Sequence, residues 1–306
     1  MELRELRYLV QIAKSGSLSK ASEELFIAQP SLSSFLKKYE KNLGYTLFIR
    51  TSKGLFPTAE GEIFLDYARE VLERKRRLMN QLSDLSNLKM GHIKFSISPY
   101  RAPYILPSLL VAWKQLYPNV KVEVIEANIP KQEELLRNNA VDVGFMINNN
   151  EENGILYRNI TEEELLIGAH PSFELKKKAH KSSNKNLPWL DLKDIKSEPY
   201  LLYSVNHHLN KFASSIFNEY HFKPKIVQTQ DNFETILKLA ENGMGITFVP
   251  HTYANFHETL EYYSIGKNGR HRILALGYPP SGYLSNATVA FSNLILKHFA
   301  IDLLLL

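Results

Sequence analysis

Apolar residues at helical spacing dominate the first ninety positions. Leu3, Leu6, Leu9, Val10 and Ala13 share a face, which predicts an amphipathic helix over 3–14. Ser15-Gly16-Ser17 ends it and can cap a successor. Leu18, Ala21 and Leu25 fall at i, i+3 and i+7 and predict a second, short helix; Phe26-Ile27-Ala28-Gln29 makes a tight connection. Pro30 then sits where a helix accepts proline, in the first turn, since that N–H has no helical partner. The third helix buries Leu32, Leu36, Tyr39 and Leu43 and stops at Gly44. Two short helices joined this closely predict a helix-turn-helix. Tyr45–Arg50 and Leu55–Phe56 read as extended segments around a Ser52-Lys53-Gly54 turn, a small β-wing.

Thr58 can cap a long helix, with Glu60 and Glu62 favourable in its first turn. Phe64, Ala68, Val71, Leu78, Leu82 and Leu85 alternate spacings of three and four, a coiled-coil seam interrupted by Lys75. From 58 to about 88 such a helix is roughly 45 Å long. A small domain cannot cover that stripe, so a partner helix from a second subunit is expected. The alternative is packing against the chain's own C-terminal part.

From Gly91 the period changes. Ile93, Phe95 and Ile97 alternate with polar residues as a strand, and Pro103 starts a helix carrying Ile105, Leu106, Leu109, Leu110, Trp113 and Leu116. VKVEVIEA, a helix over 131–139 and VDVGFMI follow. This β-α-β-α-β order predicts an α/β domain with a parallel sheet. LLIGAH, PYLLYS, KIVQTQ, GITFVP and RILALGY are later strands, with helices near 209–220, 231–242 and 285–300. The polar, basic stretch 172–186 reads as a surface loop. The final IDLLLL either extends the last helix into an interface or is disordered.

Composition narrows the class. At 306 residues the chain exceeds one ordinary core. Nothing approaches 18 consecutive apolar residues, so no membrane span is expected. The opening MELRELRYLV lacks the apolar run of a secretory signal, which predicts a cytoplasmic protein. Zero cysteines exclude disulfides and thiolate metal sites. Net charge is +5, carried mostly by the first ninety residues; Lys37, Lys38, Lys41, Arg50 and Lys53 face only Glu40 within 30–58. Local basicity of this kind suits phosphate binding. The third helix exposes Ser31, Ser33, Ser34, Lys37, Lys38 and Lys41: small hydroxyls near its N-terminus to approach bases and phosphates, lysines further along for the backbone.

Enzyme chemistry finds little support. His207-His208 points to different sides and has no third ligand near in sequence, so no metal is expected. Gly243-Met244-Gly245 lacks the third glycine and preceding strand of a dinucleotide loop. No P-loop, Gly-x-Ser-x-Gly elbow or His-Glu-x-x-His occurs, and no cofactor is implied.

One ordered series is more specific: Leu6-Arg7-Tyr8-Leu9, Gly16-Ser17-Leu18-Ser19-Lys20-Ala21, Leu25, Gln29-Pro30-Ser31-Leu32-Ser33, Glu40, Leu43-Gly44, Leu47-Phe48-Ile49-Arg50 and Pro57-Thr58-Ala59-Glu60-Gly61. It resembles the LysR-type transcription regulators, and the resemblance covers nearly the whole chain. It implies a winged helix-turn-helix over 1–58, a linker and dimerisation helix over 59–89, and a two-lobed effector domain over 90–306 like periplasmic binding proteins. The chain would return to the first lobe, giving lobe 1 about 90–161 and 266–306 and lobe 2 about 162–265. It implies that Gln29, Pro30, Ser31, Ser33, Ser34, Arg50 and Lys53 face double-stranded DNA, and that the protein is a homodimer or homotetramer. Ser34 and Phe35 depart from the family's usual longer basic or polar side chain and polar residue, which bears on base readout; Phe35 either contacts a thymine methyl or packs.

Parallel α/β lobes bind ligands at the carboxyl ends of strands and between lobes. That geometry nominates Ser98, Tyr100, Arg101, Asn128, Phe145 and Met146 in one lobe and Ser204, Asn206 and His207 in the other. The expected effector is a small molecule, with Arg101 pairing to a carboxylate. The competing class is a solute-binding protein of a transport system, which would leave the first ninety residues unexplained.

Overall fold

The computed structural model describes residues 1–52, 54–84, 91–148, 154–181, 187–204, 208–221, 223–280 and 283–304. Lys53, Leu85, Asn206 and His207 lie outside them. The chain divides into two units, Met1–Gly91 and His92–Leu306.

In the first unit, helices α1 (Leu3–Ser15), α2 (Leu18–Leu25) and α3 (Gln29–Leu43) precede the strands β1 (Phe48–Thr51) and β2 (Gly54–Pro57) and a long helix α4 (Ala59–Asp84). The core joins Leu9, Ile12, Leu18, Ala21, Leu32, Leu36, Leu47, Phe48, Leu55 and Leu65. The α2–α3 turn is made by Phe26 in the left-handed region (φ 56°), and Gly44 (φ 81°) closes α3. Phe35 packs: its ring is edge-on to Tyr8 at 5.2 Å and adjoins Tyr39 at 5.6 Å. The first wing strand starts at Phe48 rather than at Tyr45. Its partner strand ends at Pro57, and ahead of the ladder the Leu47 and Phe48 N–H groups donate to the Glu40 carboxylate (2.7 and 3.0 Å). On α4, Leu65 and Ala68 are buried, whereas Leu78, Met79 and Leu82 are exposed. Of the expected seam, Ala68 is buried and Phe64 and Val71 are half-buried, so it is Leu78 and Leu82 that stand uncovered.

The second unit opens with β3 (Gly91–Ile97), α5 (Ala102–Leu116), β4 (Val120–Glu126), α6 (Ile129–Arg137) and β5 (Val143–Asn148). Next come β6 (Leu156–Ala169), β7 (Trp189–Leu190), β8 (Pro199–Tyr203), α7 (His208–Glu219), β9 (Lys225–Gln230) and α8 (Phe233–Glu241). Then β10 (Thr247–Pro250), β11 (Glu261–Ile265), β12 (His271–Tyr278) and α9 (Asn286–Leu304) complete it. Strand order is β4-β3-β5-β12-β6-β11-β7, with β10 also on β6. β3 and β5 are parallel, as the β-α-β-α-β order predicts, but β12 runs antiparallel to both its neighbours, so the sheet is mixed.

β6 is the beam of this unit. Its first part, to Glu164, pairs with β12, and its last residues pair with β10 and β11. The sequence pattern showed only its apolar end, because the middle reads Arg158-Asn-Ile-Thr-Glu-Glu-Glu164. The two-residue β7 and the strand β11 were likewise not predicted. Parallel β8 and β9 form a pair, which backbone hydrogen bonds to Ile246 join to the start of β10 (Leu201 N–H to Ile246 O and Ile246 N–H to Pro199 O, both 2.8 Å). Phe95, Trp113 and Phe291 pack edge-to-face beneath β3, and Phe145 stacks on Phe299 at 4.9 Å. Phe145 and Met146 are fully buried core residues, so neither is available to a ligand. β5 is covered on both faces, which leaves its side chains no solvent side. Among the described residues no helix is long and apolar enough to cross a membrane.

Candidate DNA-contacting face and effector cleft

Helix α3 starts at Gln29 with Pro30 in its first turn, and Gln29, Pro30, Ser31, Ser34, Lys37, Lys38 and Lys41 are exposed along it; Ser33 is half-buried. Leu32 and Leu36 fix the opposite face in the core. Proline costs this turn no hydrogen bond, so the free N–H groups and hydroxyls of the first turn stay available. Arg50 is exposed on β1, opposite Leu55. Lys37, Lys38, Lys41 and Arg50 form no ion pair among the described residues. Contacts that hold the wing include the Glu40 carboxylate on Leu47 and Phe48, the Leu55 N–H on the Gly16 carbonyl (2.9 Å), the Thr58 N–H on the Leu47 carbonyl (2.9 Å), and the Thr58 hydroxyl, which donates to the Thr46 carbonyl (2.7 Å). Phe26, 93% exposed at the turn itself, was not singled out from the sequence.

In the second unit two adjoining cavities share Asn128, Ile129 and His208. The larger, about 760 Å³, lies between the first turn of α6, the end of β5 (Ile147, Asn148), the exposed face of α7 (Lys211, Phe212, Ser215) and the start of β12 (His271, Arg272). The smaller, about 380 Å³, lies between the end of β3 (Ser98, Pro99, Tyr100) and the N-terminus of α8 (Asp231, Asn232, Phe233, Glu234). Ser98, Tyr100 and Asn128 therefore line the cleft. Asn128 also caps α6, its side-chain oxygen accepting the Lys131 N–H at 3.1 Å. Ser204 is half-buried beside the α7 side, its N–H donating to the Gln230 carbonyl (3.2 Å), and it lines neither cavity.

Arg101 is a correction. It is 1% exposed, lines neither cavity, and grips Glu163 through both nitrogens (Nη1–Oε1 3.0 Å, Nη2–Oε2 2.6 Å). Its guanidinium also lies over the Tyr100 ring at 5.0 Å. Its charge is met by Glu163, its Nη1 also donates to the Tyr253 hydroxyl at 3.4 Å, and it reaches neither cavity, so a ligand there has no access to it. Arg272 joins the same carboxylate through Nε and Nη2 (2.8 and 2.6 Å to Oε2), and the Thr252 hydroxyl donates to Oε1 at 2.6 Å. Burial alone would push the Glu163 carboxyl up, but the Arg101 and Arg272 guanidiniums and these hydrogen bonds hold it down at about 2.

A second cluster crosses between α5 and α8. The Tyr104 hydroxyl donates to Glu234 and lies 3.0 Å from His257 Nε2; His257 Nδ1 lies 2.8 Å from Glu241. Burial, and then the Glu234 carboxylate, push the Tyr104 hydroxyl up. Neither Glu163, Arg272 nor His257 was nominated from the sequence. The available signal was three successive glutamates inside a strand: one of three adjacent residues must face inward.

Residues 3–62 match the bacterial regulatory helix-turn-helix protein, lysR family, and residues 86–300 match the LysR substrate binding domain. The transcriptional regulator ClcR of Pseudomonas putida is 28% identical over 259 residues, covering 83% of this chain and 84% of its own. BenM of Acinetobacter baylyi is 27% identical over 259 residues, covering 82% and 80%. Among solved structures, full-length CbnR complexed with its target DNA superposes with a TM-score of 0.69 at 22% identity, covering 97% of this chain and 99% of its own. A solute-binding protein would not carry the matched helix-turn-helix, and the family's members are regulators rather than enzymes. With both segments matched in order, the chain belongs to the LysR family of transcriptional regulators.

Proposed function

We propose that this chain acts in the cytoplasm as an oligomer, holding duplex DNA with α3 and the wing and setting its grip by a small molecule bound in the second unit. The observation that carries the DNA reading is the row of exposed, unpaired groups along α3 and β1 on a framework that buries their neighbours. Gln29, Pro30, Ser31, Ser33 and Ser34 meet the major groove, with Ser33 tilting in from its half-buried position. Lys37, Arg50 and Lys53 neutralise phosphates. The exposed Leu78, Met79 and Leu82 pack on the same helix of a second copy, giving a dimer or a dimer of dimers that spans an interrupted palindrome. The effector sits between a lobe of residues about 90–161 and 266–306 and a lobe of about 162–265. It must bind one arrangement of the lobes more tightly than another, or it switches nothing.

The test begins with genomic fragments from the source organism, enriched by the purified full chain. Ser33→Ala and Arg50→Ala are each expected to weaken binding to those fragments about tenfold, near the cost of one lost contact. Only Arg50→Ala should also lower the slope of log K against log salt, by about one. Unchanged affinity in both folded variants refutes the contact assignment. No enriched fragment, with and without cell extract metabolites, refutes the DNA reading.

A further inference from the structure

The buried charges beside the larger cavity do not balance. Glu163 is one carboxylate serving two guanidiniums, and it receives five donors: Arg101 Nη1 and Nη2, Arg272 Nε and Nη2, and the Thr252 hydroxyl. A carboxylate offers about four lone-pair sites, so the set is over-subscribed. The two arginines share it unequally. Arg101 engages both oxygens and has the Tyr100, Phe145 and Tyr253 rings around its guanidinium. Arg272 reaches only Oε2, and its other neighbour is the Tyr100 hydroxyl at 3.4 Å. Its Nη1 is buried and has no hydrogen-bond partner among the described residues. An unpaired buried guanidinium nitrogen costs free energy that a ligand can recover.

Arg272 is 5% exposed, yet it lines the 760 Å³ chamber, beside His271 and across from Lys211. Among the described residues the acidic side chain lining that chamber is Glu133, which lies 3.9 Å from Arg137. The smaller chamber is the reverse. It is walled by Pro99, Tyr100, Ile129 and Phe233, and its ionisable groups include the acids Asp231 and Glu234. An anion is repelled there and attracted at the β12 end, while an apolar body prefers the aromatic end.

We propose that the effector is an amphiphilic oxyanion: its carboxylate or phosphate completes the pairing of Arg272, helped by Lys211, and its apolar body lies in the smaller chamber, against Pro99, Ile129 and the edge of the packed Tyr100–Phe233 pair. The proposal rests on the cleft being the effector site. It moves the anion anchor from Arg101 to Arg272, at the place where β12 and β6 pair. Ligand binding is thereby tied to the residues that hold the middle of β6, because the anion takes up the share of charge that Glu163 supplies alone.

The test uses the full chain and four matched probes: 2-naphthoate, 2-naphthyl phosphate, neutral 2-naphthalenemethanol and the cation of 2-naphthylmethylamine. Binding is read by calorimetry and by the melting midpoint of the sensor unit. At least one anion should bind about tenfold to a hundredfold more tightly than the alcohol, the range expected for hydrogen bonds to a charged group. The amine should bind no better than the alcohol. The naphthoate and phosphate arms decide which oxyanion fits. Arg272→Gln should erase the advantage of the anion while leaving the alcohol unaffected. Should that variant fail to fold, Lys211→Glu, on the exposed face of α7, carries the same comparison. An alcohol that binds as tightly as both anions, or a folded Arg272→Gln that keeps the anion preference, overturns the anchor but not the cleft. Failure of all four probes overturns the cleft reading with it.

Discussion

The two units of the molecule handle charge in opposite ways. In the first, Lys37, Lys38, Lys41 and Arg50 stand in solvent, and the framework beneath them is hydrocarbon closed by backbone contacts. In the second, two arginines and a glutamate are buried together at the centre of the longest strand. Exposed charges cost the fold little and remain free for a charged partner. Buried ones must be paired, so they are sensitive to anything that alters the pairing, including a ligand. The helix-turn-helix and wing, built to hold a polyanion, keep their basic charges outside, and the first unit's largely buried pair, Glu73 with Arg76, lies away from them on α4; a unit built to respond to a small molecule gains by keeping some inside.

Removing the buried carboxylate is the strongest way to sharpen that contrast. Glu163→Gln leaves two guanidiniums facing one neutral amide. It should cost the sensor unit about 3–5 kcal/mol, the range for breaking a buried ion pair, while the helix-turn-helix melts as before. The same group sets a pH dependence. Its carboxyl is held at about 2 against an ordinary 4.5, so its contribution is fully present above about 4.5 and is lost as pH falls toward 2. Calorimetric scans from pH 5 to pH 3 should show the wild-type sensor transition falling more steeply than that of the variant. Parallel slopes would mean that Glu163 is not the titrating group.

A comparable experiment on the first unit involves no charge. The α-carbon of Gly61 lies so close to the wing that an added Cβ would come within 2.0 Å of the Leu47 carbonyl oxygen. Backbone cannot move aside cheaply, so Gly61→Ala should cost this unit about 1–3 kcal/mol and leave the sensor transition in place. If the two variants each lowered both transitions, the units would not be independent in stability, and the contrast would lose its force.

The same difference explains what could be read from the sequence. Leu6, Leu9, Leu32 and Leu36 announce their helices because each element of the first unit packs on neighbours close in the chain. Ser31, Ser33, Ser34 and Lys37 followed from asking which face of α3 those leucines leave free; Arg50 and Lys53 came from the wing, and Gln29 and Pro30 from the family resemblance. The sensor's central cluster joins residues 62 and 109 positions apart. No local period records that Arg101 and Arg272 converge on Glu163, and the run of glutamates hid a strand by looking like a solvated face. Strand ends led to three residues that line a cavity, Ser98, Tyr100 and Asn128. They failed for Arg101, because a cation beside a cleft and a cation beneath it look the same in one dimension. Phe145 and Met146 failed for a related reason: a strand covered on both faces has no side to give a ligand.

The smallest expected effect tests whether the exposed charges of the first unit depend on a single charged support. Glu40 does not belong to the exposed basic set; its carboxylate Oε1 accepts the Leu47 and Phe48 N–H groups and so fixes where the wing leaves α3. Glu40→Ala strands both donors, at a cost of about 1–2 kcal/mol, and lets Arg50 drift from its position. DNA affinity should fall severalfold, with the salt slope reduced as it is in Arg50→Ala. Glu40→Gln keeps an accepting oxygen and should restore most of the affinity although it removes the charge. That rescue separates the two roles open to Glu40. If it holds the wing by accepting hydrogen bonds, the neutral amide suffices. If it acts by its field on nearby lysines, the amide should behave like alanine and both should raise affinity, since a negative charge facing DNA would be gone. Rescue would place Glu40 on the side of geometry rather than electrostatics, opposite to the part Glu163 plays in the sensor.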